Sequence, residues 1–252
     1  MNATLAVIRR HPIKGIGGET LGQAELQPSR PLAGDRVWAL LHQGGERHAD
    51  AEMSRWLPKS CFLQGARCAG LQAIKGGWGG AEPAGALHLT HPDRPDLSFA
   101  PETEGARLID WIAPLWPANL PAPSRLVQAP TAWADVSQPW LSILSLSTLA
   151  ALEEAVGKPL GTDRWRGNLW VDGWAPHQER ELIGQILRVG EVELHIREPI
   201  SRCAATSADT ETGRIDMDMP PALERLFGQP VFGVYAQVVT GGTIRPADRV
   251  LL

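Results

Sequence analysis

Cysteine is scarce in this 252-residue chain: Cys61, Cys68 and Cys203 are the whole set, and no two form a Cys-x-x-Cys pair. An odd, scattered set argues against a disulfide framework and against a four-thiolate zinc or iron–sulfur site. The chain has no excess of positive charge. Its net charge of −4 removes the simplest route to nucleic acid, neutralisation of phosphates by a basic surface. Long apolar runs are missing too, and none approaches the roughly 18 residues that a membrane span requires. The segment Met1–Ile8 has apolar residues but meets Arg9, Arg10 and His11 at once, the reverse of a secretion signal. A cytoplasmic protein without a membrane or nucleic-acid partner is expected. The seven histidines show no His-x-x-x-His metal spacing. No Gly-x-Ser-x-Gly elbow supports a serine hydrolase, and the cluster Gly76–Gly80 lacks the Gly-Lys ending of a phosphate loop.

Tyrosine occurs once and phenylalanine four times against ten tryptophans. A buried indole needs a partner for its N–H, so several tryptophans should stand where core meets polar groups or a cleft. Short strands dominate the pattern. They are expected at Ala3–Ile13, Asp35–His42, Leu71–Lys75, Leu87–His91, Trp140–Ser145, Arg166–Val171, Gln185–Val189, Glu191–Arg197, Phe232–Val239 and Arg249–Leu252. The glycines at 76–80 read as the hairpin loop between two of them. Between 101 and 130, prolines at 114, 117, 121 and 123 mark a connector, with one short helix near 105–114. Ser147 suits an N-cap, after which Leu149, Leu152 and Val156 share one helical face, and Gly157 with Pro159 ends the helix. A short helix is expected at Pro220–Phe227, stopped by Gly228. Many strands and few helices imply a mainly β (α+β) fold built of barrels, with a boundary near 125.

The chemistry-bearing residues concentrate in the second half. In Ser201-Arg202-Cys203 a thiol adjoins a guanidinium, which is one way to stabilise a thiolate; Thr206 and Ser207 follow within four residues. Cys61 and Cys68 sit among apolar neighbours and read as structural. Arg166 and Asn168 recur at i and i+2, so on a strand both face one ligand. Lys14 adjoins a glycine loop, and Arg36 begins a strand beside Asp35, where an ion pair is the plainer reading. Ser145 and Ser147 bracket a helix start, a place that favours anions, although capping alone explains Ser147. The Asp-Met-Asp-Met run at 216–219 suggests no role.

Taken together, His11-Pro12-Ile13-Lys14, Gly34-Asp35-Arg36-Val37-Trp38, Arg166-Gly167-Asn168, the segment 198–213 around Cys203 and Phe232-Gly233-Val234-Tyr235 resemble, in order, the MOSC family linked to the molybdenum cofactor. Where that family usually has Phe-Arg-Pro-Asn, this chain has Trp165-Arg166-Gly167-Asn168. The resemblance implies an N-terminal MOSC β-barrel domain (1–125) followed by a MOSC domain (126–252). It implies a molybdopterin-bound molybdenum ligated by Cys203, and a cofactor pocket drawn from Lys14, Arg36, Ser145, Ser147, Arg166, Asn168, Ser201, Arg202, Thr206 and Ser207. The implied activity is that of an oxidoreductase acting on a small molecule, such as an N-hydroxylated compound, by two-electron removal of oxygen. With no four-cysteine cluster in the chain, a separate electron-donor protein is implied. The alternative within the family is a sulfur carrier, or cofactor-binding protein, that uses a persulfide on Cys203.

Overall fold

The computed structural model describes residues 3–252. Met1 and Asn2, the start of the segment compared with a secretion signal, lie outside the described residues. The first half contains β1 (Ala3–Arg10), β2 (Glu19–Leu21), β3 (Ala24–Leu26), β4 (Trp38–His42), β5 (Lys75–Gly77), β6 (Leu87–His91), β7 (Arg94–Phe99), α1 (Gly105–Ile112) and β8 (Pro123–Gln128). The second half contains β9 (Leu141–Ser145), α2 (Leu146–Val156), β10 (Leu169–Asp172), α3 (Gln178–Glu181), β11 (Ile186–Val189), β12 (Val192–Ser201), α4 (Met219–Phe227), β13 (Val231–Thr240), β14 (Gly242–Ile244) and β15 (Arg249–Leu251). The mainly β class read from the sequence is the class observed.

A seven-stranded barrel closes in the order β10-β9-β13-β12-β11-β15-β1, with β1 returning to β10. The β10–β9 pair is parallel, and the other pairings are antiparallel. Closure leaves the barrel no free edge. Its interior is filled by inward side chains of alternating positions, among them Leu5, Ile8, Ile143, Leu194, Val234 and Ala236. The first strand of the chain is thus a stave of the barrel formed by the second half. β2 extends β1 at its far end, and β3 pairs with β14. The remainder of the first half forms the β4–β8 pair and the β5-β6-β7 sheet around a core that includes Ile13, Trp38, Leu71, Leu89, Phe99 and Leu108.

On the outside of the barrel, α2 and α4 cover β9, β10 and β13 through Leu149, Leu152, Met219 and Leu223. Each buried leucine there contributes about 2 kcal/mol relative to an exposed one. The helix cap is Ser145, whose Oγ accepts from Thr148 N at 3.2 Å. Ser147 lies inside the helix, so the cap falls two residues earlier than the sequence suggests: β9 runs directly into α2 with no loop between. Leu71 lies in a 3-10 turn over 69–73, and the strand starts only at Lys75. Gly76 and Gly77 therefore belong to β5 and not to a hairpin loop. Gly76 also approaches a neighbour closely, exchanging backbone hydrogen bonds with Gly18.

Leu144 carries the tightest packing near the site. A Cβ on Gly167 would overlap Leu144 Cδ1, and one on Gly233 would stand 2.7 Å from Leu144 Cγ. Both positions need glycine because the leucine side chain lies against their backbones. The glycine in Arg166-Gly167-Asn168 is therefore a packing requirement.

Candidate active site

An open cleft of about 130 Å³ lies where the barrel rim meets the first half of the chain. Of the residues expected to share a pocket, it brings together Lys14, Arg36, Arg166, Asn168, Ser201, Arg202, Cys203 and Thr206. Three do not reach it. Ser145 is buried and spends its hydroxyl capping α2. Ser147 sits one position into the helix and does not line the cleft. Ser207 is turned toward α4, where its Oγ accepts from Met219 N at 3.1 Å. The Ser145 and Ser207 hydroxyls are thus spent at helix starts, leaving nothing for a ligand in the cleft.

Six cationic side chains line the cleft against one carboxylate, that of Asp135. Five of them, all but Lys59, are held by acceptors of the protein. Lys14, itself buried, donates to Trp133 O at 2.9 Å and to Asp135 Oδ1 at 2.5 Å. Arg36 pairs with Asp35 and donates through Nη2 to Arg166 O at 2.8 Å. Arg166 in turn donates to Gly17 O at 2.6 Å and Ile13 O at 3.0 Å, binding the turn after β1 to the loop before β10. Arg202 donates to the carbonyls of Phe232 and Trp165. Arg36 and Arg166 both hold left-handed backbone conformations, with φ of 53° and 51°. Such a conformation costs a non-glycine residue about 1 kcal/mol, and strain of this kind gathers at functional sites.

The electrostatics record the crowding. Burial, then Arg36 and Arg9, push Arg166 down to about 9, and burial pushes Arg202 down to about 10. A guanidinium keeps its proton at neutral pH, so these shifts express chiefly the burial of two charged groups, joined at Arg166 by its cationic neighbours. Burial also lowers Lys14, more than Asp135 raises it. For Asp135, burial pushes upward, but Lys14, Lys59 and Arg36 outweigh it and hold the carboxyl at about 2. His11, behind Arg166, is lowered well below its ordinary value by burial and by Arg166, Arg36 and Arg9. It is therefore neutral: Nδ1–H donates to Gly17 O, and Nε2 is buried without a partner.

Cys203 is the exposed one of the three free cysteines, and it lines the cleft together with Arg166 and Asn168. Its position comes from the end of β12. The next residues form a 3-10 turn over 204–207, in which Thr206 N and Thr206 Oγ1 both donate to Cys203 O, at 3.1 and 2.8 Å. Arg202 turns its guanidinium to backbone carbonyls and packs over the Trp165 and Phe232 rings, rather than forming a hydrogen bond to the thiol. Asn168 is committed as well. Its Oδ1 accepts from Ser142 N and Oγ, and its Nδ2 donates to Arg9 O, so it knits β9 to β1 at the cleft floor. Arg166 and Asn168 precede β10, which begins at Leu169. Their shared direction comes from a 3-10 turn over 163–165 and from the left-handed Arg166, not from strand alternation.

Sequence reasoning missed four residues. Trp140 and Tyr235, with ring centroids 6.0 Å apart, form an aromatic wall. Asp135 is the carboxylate that anchors Lys14. Asp216, given no role from the sequence, accepts both nitrogens of the Arg164 fork. The tryptophan excess was the available signal for the wall. None pointed to the two aspartates, whose partners are distant in sequence.

A closed β-barrel bearing a cleft lined by cations, with an exposed thiol at its rim, is the class that fold and site define. Residues 136–251, in the second half of the chain, match the family model of the MOSC domain. It is similar to mitochondrial amidoxime-reducing component 1 of Homo sapiens, with 32% identity over 133 residues, 48% of this chain and 38% of the relative. The Mus musculus counterpart is 30% identical over the same shares. The match thus spans about two fifths of the length of these relatives. Among solved structures, YiiM from Geobacillus stearothermophilus aligns with a TM-score of 0.36 and 19% identity, over 44% of this chain and 53% of that one. Among the described residues no helix is long and apolar enough to cross a membrane.

Proposed function

We propose that the cleft binds the molybdenum cofactor and that the protein is an oxidoreductase removing oxygen from N-hydroxylated or related N-oxygenated small molecules. The observation that carries this reading is the meeting, in one cleft, of an exposed thiol with a strongly cationic lining. The residues fit such a group. Its phosphate and pterin call for cations and N–H donors, and its metal calls for a soft ligand. Lys14, Arg36, Arg166 and Arg202 supply the cations. The Trp165 indole N–H beside them is buried without a partner. Among the described residues no three His, Cys, Asp or Glu side chains converge. A metal held at Cys203 therefore has to bring most of its ligands with it, as a pterin-bound metal does.

When bound, the cofactor supplies the two-electron chemistry. The chain holds its anionic end, offers Cys203 Sγ to the metal, and presents Trp140 and Tyr235 as a wall for the substrate. A separate electron-donor protein, a cytoplasmic location and an N-terminal barrel domain belong to the same proposal. The deciding experiment is elemental analysis of protein from a host that makes the cofactor. Molybdenum near one per chain, lost in Cys203→Ala, is the expected result; protein from that host without molybdenum overturns it. The exposure of Cys203 also suits a sulfur carrier, which would show a Cys203 peptide heavier by one sulfur and no molybdenum.

A further inference from the structure

Cys203 has few ties of its own, yet the loop that carries it is held from behind by a buried fork. Arg164 is 2% exposed. Its Nη1 donates to Thr206 O at 3.0 Å and to Asp216 Oδ1 at 2.9 Å, and its Nη2 donates to Asp216 Oδ2 at 2.9 Å. Asp216 also accepts from Lys158 Nζ at 2.7 Å, and its backbone N donates to Ser207 O at 3.1 Å. The antiparallel bridge between Ala208 and Ile215 closes the hairpin that brings Asp216 back to this point. The path to the thiol is short: Arg164 fixes the Thr206 carbonyl, and Thr206 fixes the Cys203 carbonyl through both its N–H and its hydroxyl.

The same turn serves the other end of the cleft. Asp163 pairs with Arg9 on β1 at 2.8 Å, Arg164 holds the thiol loop, and Arg166 holds the turn at 13–17. One short segment thus registers the thiol against the cations. A bidentate guanidinium–carboxylate pair fixes geometry as well as charge, and a lysine in its place would lose the planar fork.

We infer that Arg164 and Asp216 are positioning residues that set where the Cys203 thiol stands in the cleft. The inference rests on Cys203 being the reactive thiol of the proposed function, and it is read without the metal, so the two can fail separately. The probe is iodoacetamide on metal-free protein at a fixed pH, with the Cys203 peptide followed by mass; Cys61 and Cys68 are buried. In Asp216→Asn, alkylation of Cys203 rises about tenfold, the population shift expected when one charge-assisted hydrogen bond is lost. Asp216→Glu returns the rate toward that of the parent. Ile143→Val, deep in the barrel, serves as a comparison for general loosening and leaves the rate unchanged. If Asp216→Asn does not fold, Thr206→Val, which removes the hydroxyl from Cys203 O and keeps the fork, gives a smaller rise. An unchanged or lowered rate in the variant that folds, or an equal rise in Ile143→Val, overturns the assignment. Absence of molybdenum from cofactor-grown protein overturns the proposed function and leaves this measurement standing.

Discussion

At the cationic end of the cleft, Lys14, Arg36 and Arg166 each donate into fixed acceptors of the protein, whereas at the thiol end Cys203 is exposed and its side chain makes no hydrogen bond among the described residues. The first end is part of the fold, because its cations bridge the two halves of the chain. The second is presented by the fold, through a turn and a buried fork. Substitutions at the two ends should therefore differ in kind. Damage to the thiol end costs binding and leaves stability alone; damage to the cationic end costs both.

The largest effect on binding is expected from Cys203→Ala. Loss of a metal ligand should reduce molybdenum retention by about 100-fold, at least the effect of losing a residue that supports a ligand. Stability should stay within about 0.5 kcal/mol, as for an exposed residue without special contacts. Metal content and a urea midpoint measured on the same preparation check both halves. A clear loss of stability would place the thiol in the framework and erase the contrast.

Arg166→Ala is the complementary case. It takes charge-assisted donors away from Gly17 O and Ile13 O, so a destabilisation of about 3 kcal/mol is expected along with weaker cofactor retention. Lys75→Ala is the control: Lys75 pairs with Glu211 where the side chains are 40% and 72% exposed. Such a pair contributes about 0–1 kcal/mol. Equal cofactor retention in the two variants would remove Arg166 from the anion pocket. Gly167→Ala tests the backbone between Arg166 and Asn168. Overlap with Leu144 should cost about 1–3 kcal/mol, and Leu144→Ala in the same chain should recover part of it. A double-mutant cycle by chemical denaturation reads the coupling.

Much of the second half was legible in the sequence because its elements are locally determined. Leu149 and Leu152 mark the buried face of α2, Gly228 ends α4 in a left-handed conformation with φ of 76°, and the long strand at Phe232–Val239 runs as expected. Illegible were features fixed by distant partners. Nothing local in Ala3–Arg10 tells that it pairs with β10 and β15 and joins the second half's barrel. Prolines hid two strands. Pro95 sits in β7, an edge strand of its sheet, and Pro123 opens β8; these are the places where a strand tolerates the missing N–H. The cluster of Cys203 with Arg166 was foreseen, but Arg164–Asp216, 52 residues apart, was not, since an aspartate in a polar run carries no mark of a buried partner.

The smallest expected effect lies at Lys14–Asp135, where the two regions of the cleft meet solvent. Asp135 has a half-exposed side chain, 50% by area, while that of Lys14 is 7% exposed. Water screens one partner, so the pair should contribute no more than about 1 kcal/mol. The sign follows from the carboxyl, whose value falls from 3.8 to about 2 on folding. A depressed carboxyl stabilises the folded state above 3.8, and that contribution is lost as pH falls through about 2. Urea midpoints of the parent and Asp135→Asn should therefore differ at pH 5 and converge toward pH 2. A difference independent of pH would mean that Asp135 acts through packing alone, and that the positive potential of the cleft does not reach it. Asp135→Asn also removes the one carboxylate lining the cleft. At pH 5, where sulfate is a dianion, it should then bind more tightly to metal-free protein, whereas Arg166→Ala should weaken it.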